Sequence, residues 1–308
     1  MNEFTSVLNE VKKAVSGKTE EIAWILMALL AGGHVLIEDI PGVGKTTMVR
    51  AFSRVLGLSV SRMQFTPDVL PSDITGFSVY EKESGTLRYV PGAIFANLFM
   101  ADELNRAVSR TQSALLEAME EKSVTVDGVT RALPDPFFVI ATQNPAGAAG
   151  TQLLPDSQTD RFMIRLTMGY PDAASEVEMV QNRMGSDPVQ ALRQVLDRER
   201  LAELQKQISM IYIKPEVIRY VVDIMNCTRT HPMIRQGASP RATLAVVSMA
   251  KATAFISNRN YVIPDDVAFV LEKTAAHRLI LSKDAQMNHL SASHLLKEIL
   301  ASVKAPVI

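Results

Sequence analysis

The first half of the chain reads as short apolar runs set between polar, glycine-bearing segments. Val35-Leu36-Ile37 and Leu98-Phe99-Met100-Ala101 carry no polar residue in their centres. That pattern predicts strands of a parallel sheet covered by helices on both faces. Phe137-Phe138-Val139-Ile140-Ala141 is a further buried run, and Phe162-Met163-Ile164-Arg165-Leu166, closed by Tyr170-Pro171, is another. Val60 to Phe65 alternates instead, with Val60, Arg62 and Gln64 on one face. Between the runs the period changes to that of a helix. Met48 to Leu56 is one such stretch, and Glu103 to Lys122 is a second, with Ala107, Ala114, Leu115, Ala118 and Met119 on one face. Ile22 to Ala31 reads as a buried helix stopped by Gly32-Gly33. At ten residues it has about half the length of a bilayer span, and Glu20 and Glu21 before it argue against a signal peptide. No membrane insertion is expected.

After Tyr170-Pro171-Asp172 the strand patterns vanish and helical ones take over. Ile213-Lys214-Pro215 opens a helix running through Val221 to Met225. Ser239-Pro240-Arg241 opens another, with Ser239 as N-cap and Pro240 at the first helical position. Apolar nearly all round from Ala242 to Phe255, this helix predicts the core of a small bundle. Pro264-Asp265-Asp266 opens a third, with acids in its first turn. The predicted fold is α/β: a parallel sheet covered by helices over residues 1–171, then a small all-α domain over residues 172–308.

Candidate chemistry lies at the end of the first strand. Pro41-Gly42-Val43-Gly44-Lys45-Thr46-Thr47 follows the Val35 run and precedes a helix, the context in which a phosphate-binding loop works. Gly42 and Gly44 let successive backbone N–H groups point into one concavity, and the helix N-terminus adds its positive dipole end. Lys45 would reach the β- and γ-phosphates, and the Thr46 hydroxyl would help hold Mg²⁺. The pattern G-x-x-x-x-G-K-[ST] has one departure here: Asp39 stands where its first glycine belongs. That position opens the loop and need not touch phosphate.

In a parallel sheet, ligands collect at the carboxyl ends of strands. The Leu98 run ends in Asp102-Glu103, which would therefore arrive beside the loop. Asp102 would hold Mg²⁺ through its water shell, and Glu103 would orient and polarise an attacking water, which argues for hydrolysis rather than nucleotide holding. No Asn-Lys-x-Asp element for reading guanine occurs in the nucleotide half, which favours ATP.

Composition adds bounds. The chain has 308 residues and a net charge of −1, which gives no electrostatic case for nucleic acid or an anionic membrane. Cys227 is the sole cysteine, so no disulfide framework or cysteine metal site is available. A reducing, cytoplasmic setting fits. The five histidines share no metal-ligand spacing.

Beyond these elements the chain resembles the MoxR family of AAA+ ATPases. The resemblance rests on Gly33 to Ile40 with the Lys45 loop, on Gln64-Phe65-Thr66-Pro67-Asp68-Val69-Leu70-Pro71-Ser72-Asp73-Ile74-Thr75-Gly76, and on Pro91 to Asn97. Asp102-Glu103-Leu104-Asn105-Arg106-Ala107, Thr111 to Glu121, Ala141-Thr142-Gln143-Asn144-Pro145 and Leu154 to Phe162 continue it. The resemblance implies a AAA+ nucleotide-binding domain with a helical lid. It places Asn144 as the first sensor beside the γ-phosphate, and Arg161 as the arginine finger that a neighbouring subunit would insert, with Arg165 as the alternative. Arg241, in Gly237-Ala238-Ser239-Pro240-Arg241-Ala242, would be the second sensor, an arginine from the lid acting in cis; its other reading is a surface residue. Val15 and Gly17 fall in the adenine-pocket linker, where Lys18 replaces a common glutamine.

The resemblance further implies a homo-oligomer, a hexameric ring, and a partner bearing a von Willebrand factor A domain. Two hairpin patterns match family insertions, one within residues 69–94 around Ser84-Gly85 and one within 123–137 around Asp127-Gly128. They would either touch a substrate or ornament the sheet edge. The expected function is a Mg-dependent ATPase that remodels, assembles or activates partner proteins. A AAA+ nucleic-acid motor or transcription activator is one alternative, and a nucleotide-binding scaffold with little turnover is another.

Overall fold

Buried runs become central strands. The computed structural model describes residues 3–39, 42–144, 153–183 and 187–307. Its chain divides into one unit of Met1–Trp24, Leu36–Leu154 and Thr167–Ala202 and a second of Ile25–Val35, Pro155–Leu166 and Glu203–Ile308.

Strands β1 (Val35–Glu38), β2 (Val60–Gln64), β3 (Gly76–Glu81), β4 (Thr86–Pro91), β5 (Leu98–Asp102), β6 (Ser123–Val126), β7 (Val129–Ala132) and β8 (Phe138–Gln143) come first in the chain. The sheet of the first unit runs β2-β5-β8-β1. Every residue of β5 and β8 is buried, the apolar runs as their character predicts and the terminal Asp102, Thr142 and Gln143 with them, whereas β2 alternates between exposed and half-buried. β5 pairs in parallel with β2 on one side and β8 on the other. These registers bring Gln64 level with Asp102 and Ala101 level with Ala141, so polar residues gather at the carboxyl ends of three adjacent strands.

The helix Lys45–Val55 buries Met48, Val49, Phe52 and Val55, a stripe at helical spacing. Phe52, Phe65, Phe99 and Phe138 are fully buried, and each such side chain stabilises the core by about 1.5–3 kcal/mol. The predicted helix from Glu103 to Lys122 is interrupted. Glu103 adopts a left-handed φ of 55°, Leu104–Arg106 form a 3₁₀ turn, and the α-helix proper spans Ser109–Glu121. The two hairpin patterns form β3–β4 and β6–β7. They are joined by Arg131, whose guanidinium lies 3.7 Å from the centroid of the Tyr89 ring.

The second unit is mainly helical. Helices Pro215–Thr230, Pro240–Ile256, Pro264–Ala275 and Ala292–Ser302 pack against one another, with Val221, Ile224, Val246, Met249, Val270 and Leu295 buried among them. Ser239 caps its helix as the sequence predicts, accepting from Ala242 N through its hydroxyl. Strand structure does not vanish here, however. Ile234–Gln236 pairs antiparallel with Ile280–Leu281. Segments of three and two residues are too short to display a period of two, so periodicity could not reveal them.

Candidate functional site

The strand-to-helix turn after β1 builds an open, donor-rich loop. Gly42 has φ 90° and Gly44 φ 92°, and a Cβ on either would meet nothing within 4 Å. Glycine is therefore demanded by the left-handed backbone, not by crowding. Gly44 N-caps the following helix without a side-chain cap, and a helix N-terminus favours an anion. Val43, Thr46 and Thr47 belong to the same turn and are half-buried, while Pro41, a predicted contact, lies outside the described residues. Lys45 is buried, and its Nζ donates to the Asp39 carbonyl at 3.0 Å. Burial pushes its ammonium below the ordinary lysine range, against the pull of the Asp39, Asp102 and Glu103 carboxylates.

Asp102 and Glu103 share one organiser, Thr142 at the end of β8. The fully buried Thr142 hydroxyl donates to Asp102 Oδ1 at 2.6 Å and accepts from Glu103 N at 2.8 Å. The other Asp102 oxygen, Oδ2, accepts from Arg62 at 2.6 Å. Arg62 sits on β2 two residues before Gln64, which takes a second hydrogen bond from its guanidinium at 3.1 Å. The Glu103 carboxylate lies 2.8 Å from Arg106. Glu103 thus combines a left-handed backbone with a carboxylate at the cavity edge, a conformation that persists only where its surroundings fix it. Asn144, buried just past β8, is clamped through its backbone: Asn105 accepts from Asn144 N at 3.3 Å and donates to Asn144 O at 3.4 Å.

Gly42, Gly44, Lys45, Thr46, Thr47, Asp102 and Glu103 line one cavity of about 370 Å³, together with Arg62 and Gln64. Sequence reasoning missed the parts played by Arg62, Thr142 and Asn105. The alternation that put Arg62 and Gln64 on one face was the available signal for the first. Nothing in the composition of β8 distinguishes Thr142 from a core threonine.

A second cavity of about 190 Å³ adjoins the loop. Val15, Lys18, Gly42, Val43, Gly44, Thr47, Tyr170, Pro171 and Met179 are among the residues that line it. It is mostly apolar, which suits a flat heterocycle. Gly17 supports its wall at φ 72°, and a Cβ there would stand 2.4 Å from Ser175 Oγ. The donor set fits a metal nucleotide: one cation, one hydroxyl and one carboxylate stand at the N-terminus of a helix, the chemistry that phosphate oxygens and their metal require. Among the described residues there is no group of three or more His, Cys, Asp or Glu side chains that could hold a metal unaided.

In the second unit Arg241, one of the predicted arginines, lies beside Asp160. Ser239 Oγ lies 3.0 Å from each of its carboxylate oxygens, Arg278 Nε 2.9 Å from Oδ1, and Arg241 3.6 Å from Oδ2. Arg241 is partly exposed and ion-paired. Arg278, which the sequence reading left unremarked, is nearly sealed and also donates to the Phe162 carbonyl at 2.7 Å. Burial pulls its pKa to about 10, while Asp160 opposes the shift. His277 is buried beside it with Nε2 at 3.1 Å from the Phe162 carbonyl. Burial, then the charges of Arg278 and Arg165, push this imidazole well below its ordinary range. Arg161 is half-buried, its backbone held by Gln158, and Arg165 is exposed.

Among the described residues no helix is long and apolar enough to cross a membrane. The profile of the ATPase family associated with various cellular activities (AAA) matches residues 34–164, and that of the AAA lid domain matches residues 227–299. YeaC of Bacillus subtilis is 44% identical over 97% of this chain and 94% of its own length. The chaperone MoxR1 of Mycobacterium tuberculosis is 38% identical over 97% of this chain and 81% of its own, and MoxR of Methylorubrum extorquens is 30% identical over 96% and 93%. A solved structure of an ATPase candidate from Cytophaga hutchinsonii superposes with a TM-score of 0.92 at 35% identity, covering 99% of this chain and 96% of that one.

Proposed function

Because the chain belongs to the MoxR family of AAA+ ATPases, we propose that it hydrolyses Mg-ATP and uses the energy to remodel, assemble or activate partner proteins. The observation that carries the reading is the Thr142 bridge, which fixes Asp102 and Glu103 in the cavity already lined by Lys45 and Thr46. The adjoining apolar cavity between Val15 and Tyr170 would take the adenine, and the N–H groups of Gly42 to Thr47 the phosphates. Thr46 and Asp102 would hold Mg²⁺, which when bound neutralises charge on the β- and γ-phosphates.

This chain's side chains then divide the work. The Lys45 ammonium binds the β- and γ-phosphates. Glu103 accepts the proton of the attacking water as the general base, and Asn144 orients that water. Arg62 and Thr142 fix the Asp102 carboxylate through Oδ2 and Oδ1, and that carboxylate would hold the metal through its water shell. Arg241 contacts the phosphates from the lid of the same subunit, and Arg161 stabilises transition-state charge in the site of the next, an effect worth roughly 10³–10⁵ in rate. A site completed by a neighbour ties nucleotide binding to a homo-oligomeric ring, for which a hexamer is the family expectation. A protein with a von Willebrand factor A domain is the partner class proposed, the setting is cytoplasmic, and the β3–β4 and β6–β7 hairpins are the proposed contacts.

Mixing two inactive variants tests this reading. Glu103→Gln and Arg161→Ala should each bind ATP and hydrolyse it poorly. Mixed in one ring, some interfaces pair an intact Glu103 with a neighbour's intact Arg161, and turnover should partly return. Energy transfer between labelled chains first confirms subunit exchange. Exchange without recovered activity would remove Arg161 from the trans role and favour Arg165.

A further inference from the structure

A departure from the general phosphate-loop pattern, Asp39 in place of its first glycine, and one from the family resemblance, Lys18 in place of a common glutamine, converge on a single peptide group. Asp39 Oδ2 accepts from both Met168 N and Gly169 N at 2.6 Å. Lys18 Nζ donates to the Met168 carbonyl, and to the Tyr170 carbonyl at 3.2 Å. The peptide unit between Met168 and Gly169 therefore has a carboxylate at its N–H end and an ammonium at its C=O end. Its dipole is aligned with both charges, the arrangement in which a peptide transmits attraction between two ions too far apart to touch. Both side chains are buried, at 6% exposure for Asp39 and 5% for Lys18. Buried charges without such partners would cost several kcal/mol each, on the order of the penalty for an unpaired buried ion.

The location of this clamp gives it a functional consequence. Asp39 follows β1 and its carbonyl receives Lys45, so it belongs to the root of the phosphate loop. Lys18, Tyr170 and Pro171 line the apolar cavity beside that loop. We propose that Asp39 and Lys18 are positioning residues for the purine: they grip the Met168–Gly169 peptide from opposite ends and so hold Tyr170 and Pro171 as a fixed wall of the base pocket, in register with the phosphate loop. The proposal rests on the reading of that cavity as a nucleotide site. It assigns Asp39 a role that a motif comparison discards, and it implies that restoring glycine at position 39 harms binding.

The test compares ADP with inorganic tripolyphosphate, measured as a competitor of a fluorescent ADP analogue on the full chain. Lys18→Met should weaken ADP about tenfold while changing tripolyphosphate affinity less than twofold, because the wall serves the base and not the phosphates. Asp39→Asn and Asp39→Gly should weaken ADP by a similar factor. The Lys18→Met/Asp39→Asn double variant should lose little more than either single one, since each change disables the same clamp. A purely structural role would lower affinity for ADP and tripolyphosphate together. ADP affinity within twofold of wild type in Lys18→Met overturns the proposal, as do effects that multiply in the double variant. Should Lys18→Met fail to fold, Asp39→Gly decides alone: unchanged or tighter ADP binding overturns the clamp. If the wild-type chain itself binds neither ADP nor ATP, the nucleotide reading of the cavity falls instead.

Discussion

Replacing Thr142 by valine removes one hydroxyl and almost no volume, so its effects come from hydrogen bonds alone. Thr142 is fully buried and water cannot substitute for what is lost. Asp102 Oδ1, a carboxylate acceptor, loses the 2.6 Å bond that the Thr142 hydroxyl donates, worth about 1.5–3 kcal/mol. Glu103 N loses its 2.8 Å acceptor, leaving a donor unsatisfied at about 1–3 kcal/mol. Some overlap and relaxation reduce the sum, and a net destabilisation of about 3 kcal/mol follows. For a unit of this size that lowers the melting temperature by roughly 6–12 °C. The catalytic effect should be larger than the binding effect. The bond that Glu103 N donates to Thr142 holds Glu103 at φ 55°, and without it the backbone relaxes toward an ordinary conformation and moves the carboxylate. A displacement near 1 Å costs about 10²-fold in rate. Phosphate release from Mg-ATP should therefore fall about 10²-fold, while ADP affinity stays within about threefold because Lys45 and the loop are untouched. Thr142→Ser, which keeps the hydroxyl, should recover most of both losses. Wild-type melting and turnover in Thr142→Val would refute the claim that this hydroxyl organises the two acids.

Two other predictions concern the second unit. His277 has its folded-state pKa depressed below the ordinary 6.5, so the unfolded chain takes up a proton that the folded one refuses. Stability is then intact above pH 6.5 and falls as the pH drops below it, by up to about 1.4 kcal/mol per unit, and urea unfolding from pH 8 to 5 should lose that slope in His277→Phe. Arg278→Met should destabilise the lid by about 3 kcal/mol, because Asp160 and the Phe162 carbonyl lose a buried partner; calorimetry showing an unchanged lid transition would contradict this.

Much of the architecture was legible because it follows from periodicity. Apolar runs marked β5 and β8 as buried, and the glycine loop between strand and helix marked the turn that lines a cavity with Lys45, Asp102 and Glu103. What escaped was set by contacts across the sequence. Thr142 and Asp102 are forty residues apart and meet only because β5 and β8 pair in register. Arg62 looked like the polar face of an alternating strand, and only the pairing of β2 with β5 turns that face toward Asp102. Asp39 read as a harmless departure from a motif because its partners, Met168 and Gly169, are about 130 residues downstream. The left-handed Glu103 broke a helix pattern that periodicity alone would have continued. The strand pair Ile234–Gln236 and Ile280–Leu281 was too short to leave a signal.

The central claim is that Asp102 and Glu103 separate holding the nucleotide from cleaving it. Glu103→Gln is nearly isosteric, removes the base and leaves Lys45, Thr46, Asp102 and the Thr142 bridge in place. The direct measurement is phosphate release from Mg-ATP by wild-type chain and by Glu103→Gln at equal ATP occupancy. Occupancy is fixed beforehand by binding of a slowly hydrolysed analogue. The account predicts turnover by the wild type and a loss of at least about 10²-fold in the variant, with analogue affinity unchanged within about twofold. Turnover by Glu103→Gln near the wild-type rate would contradict it.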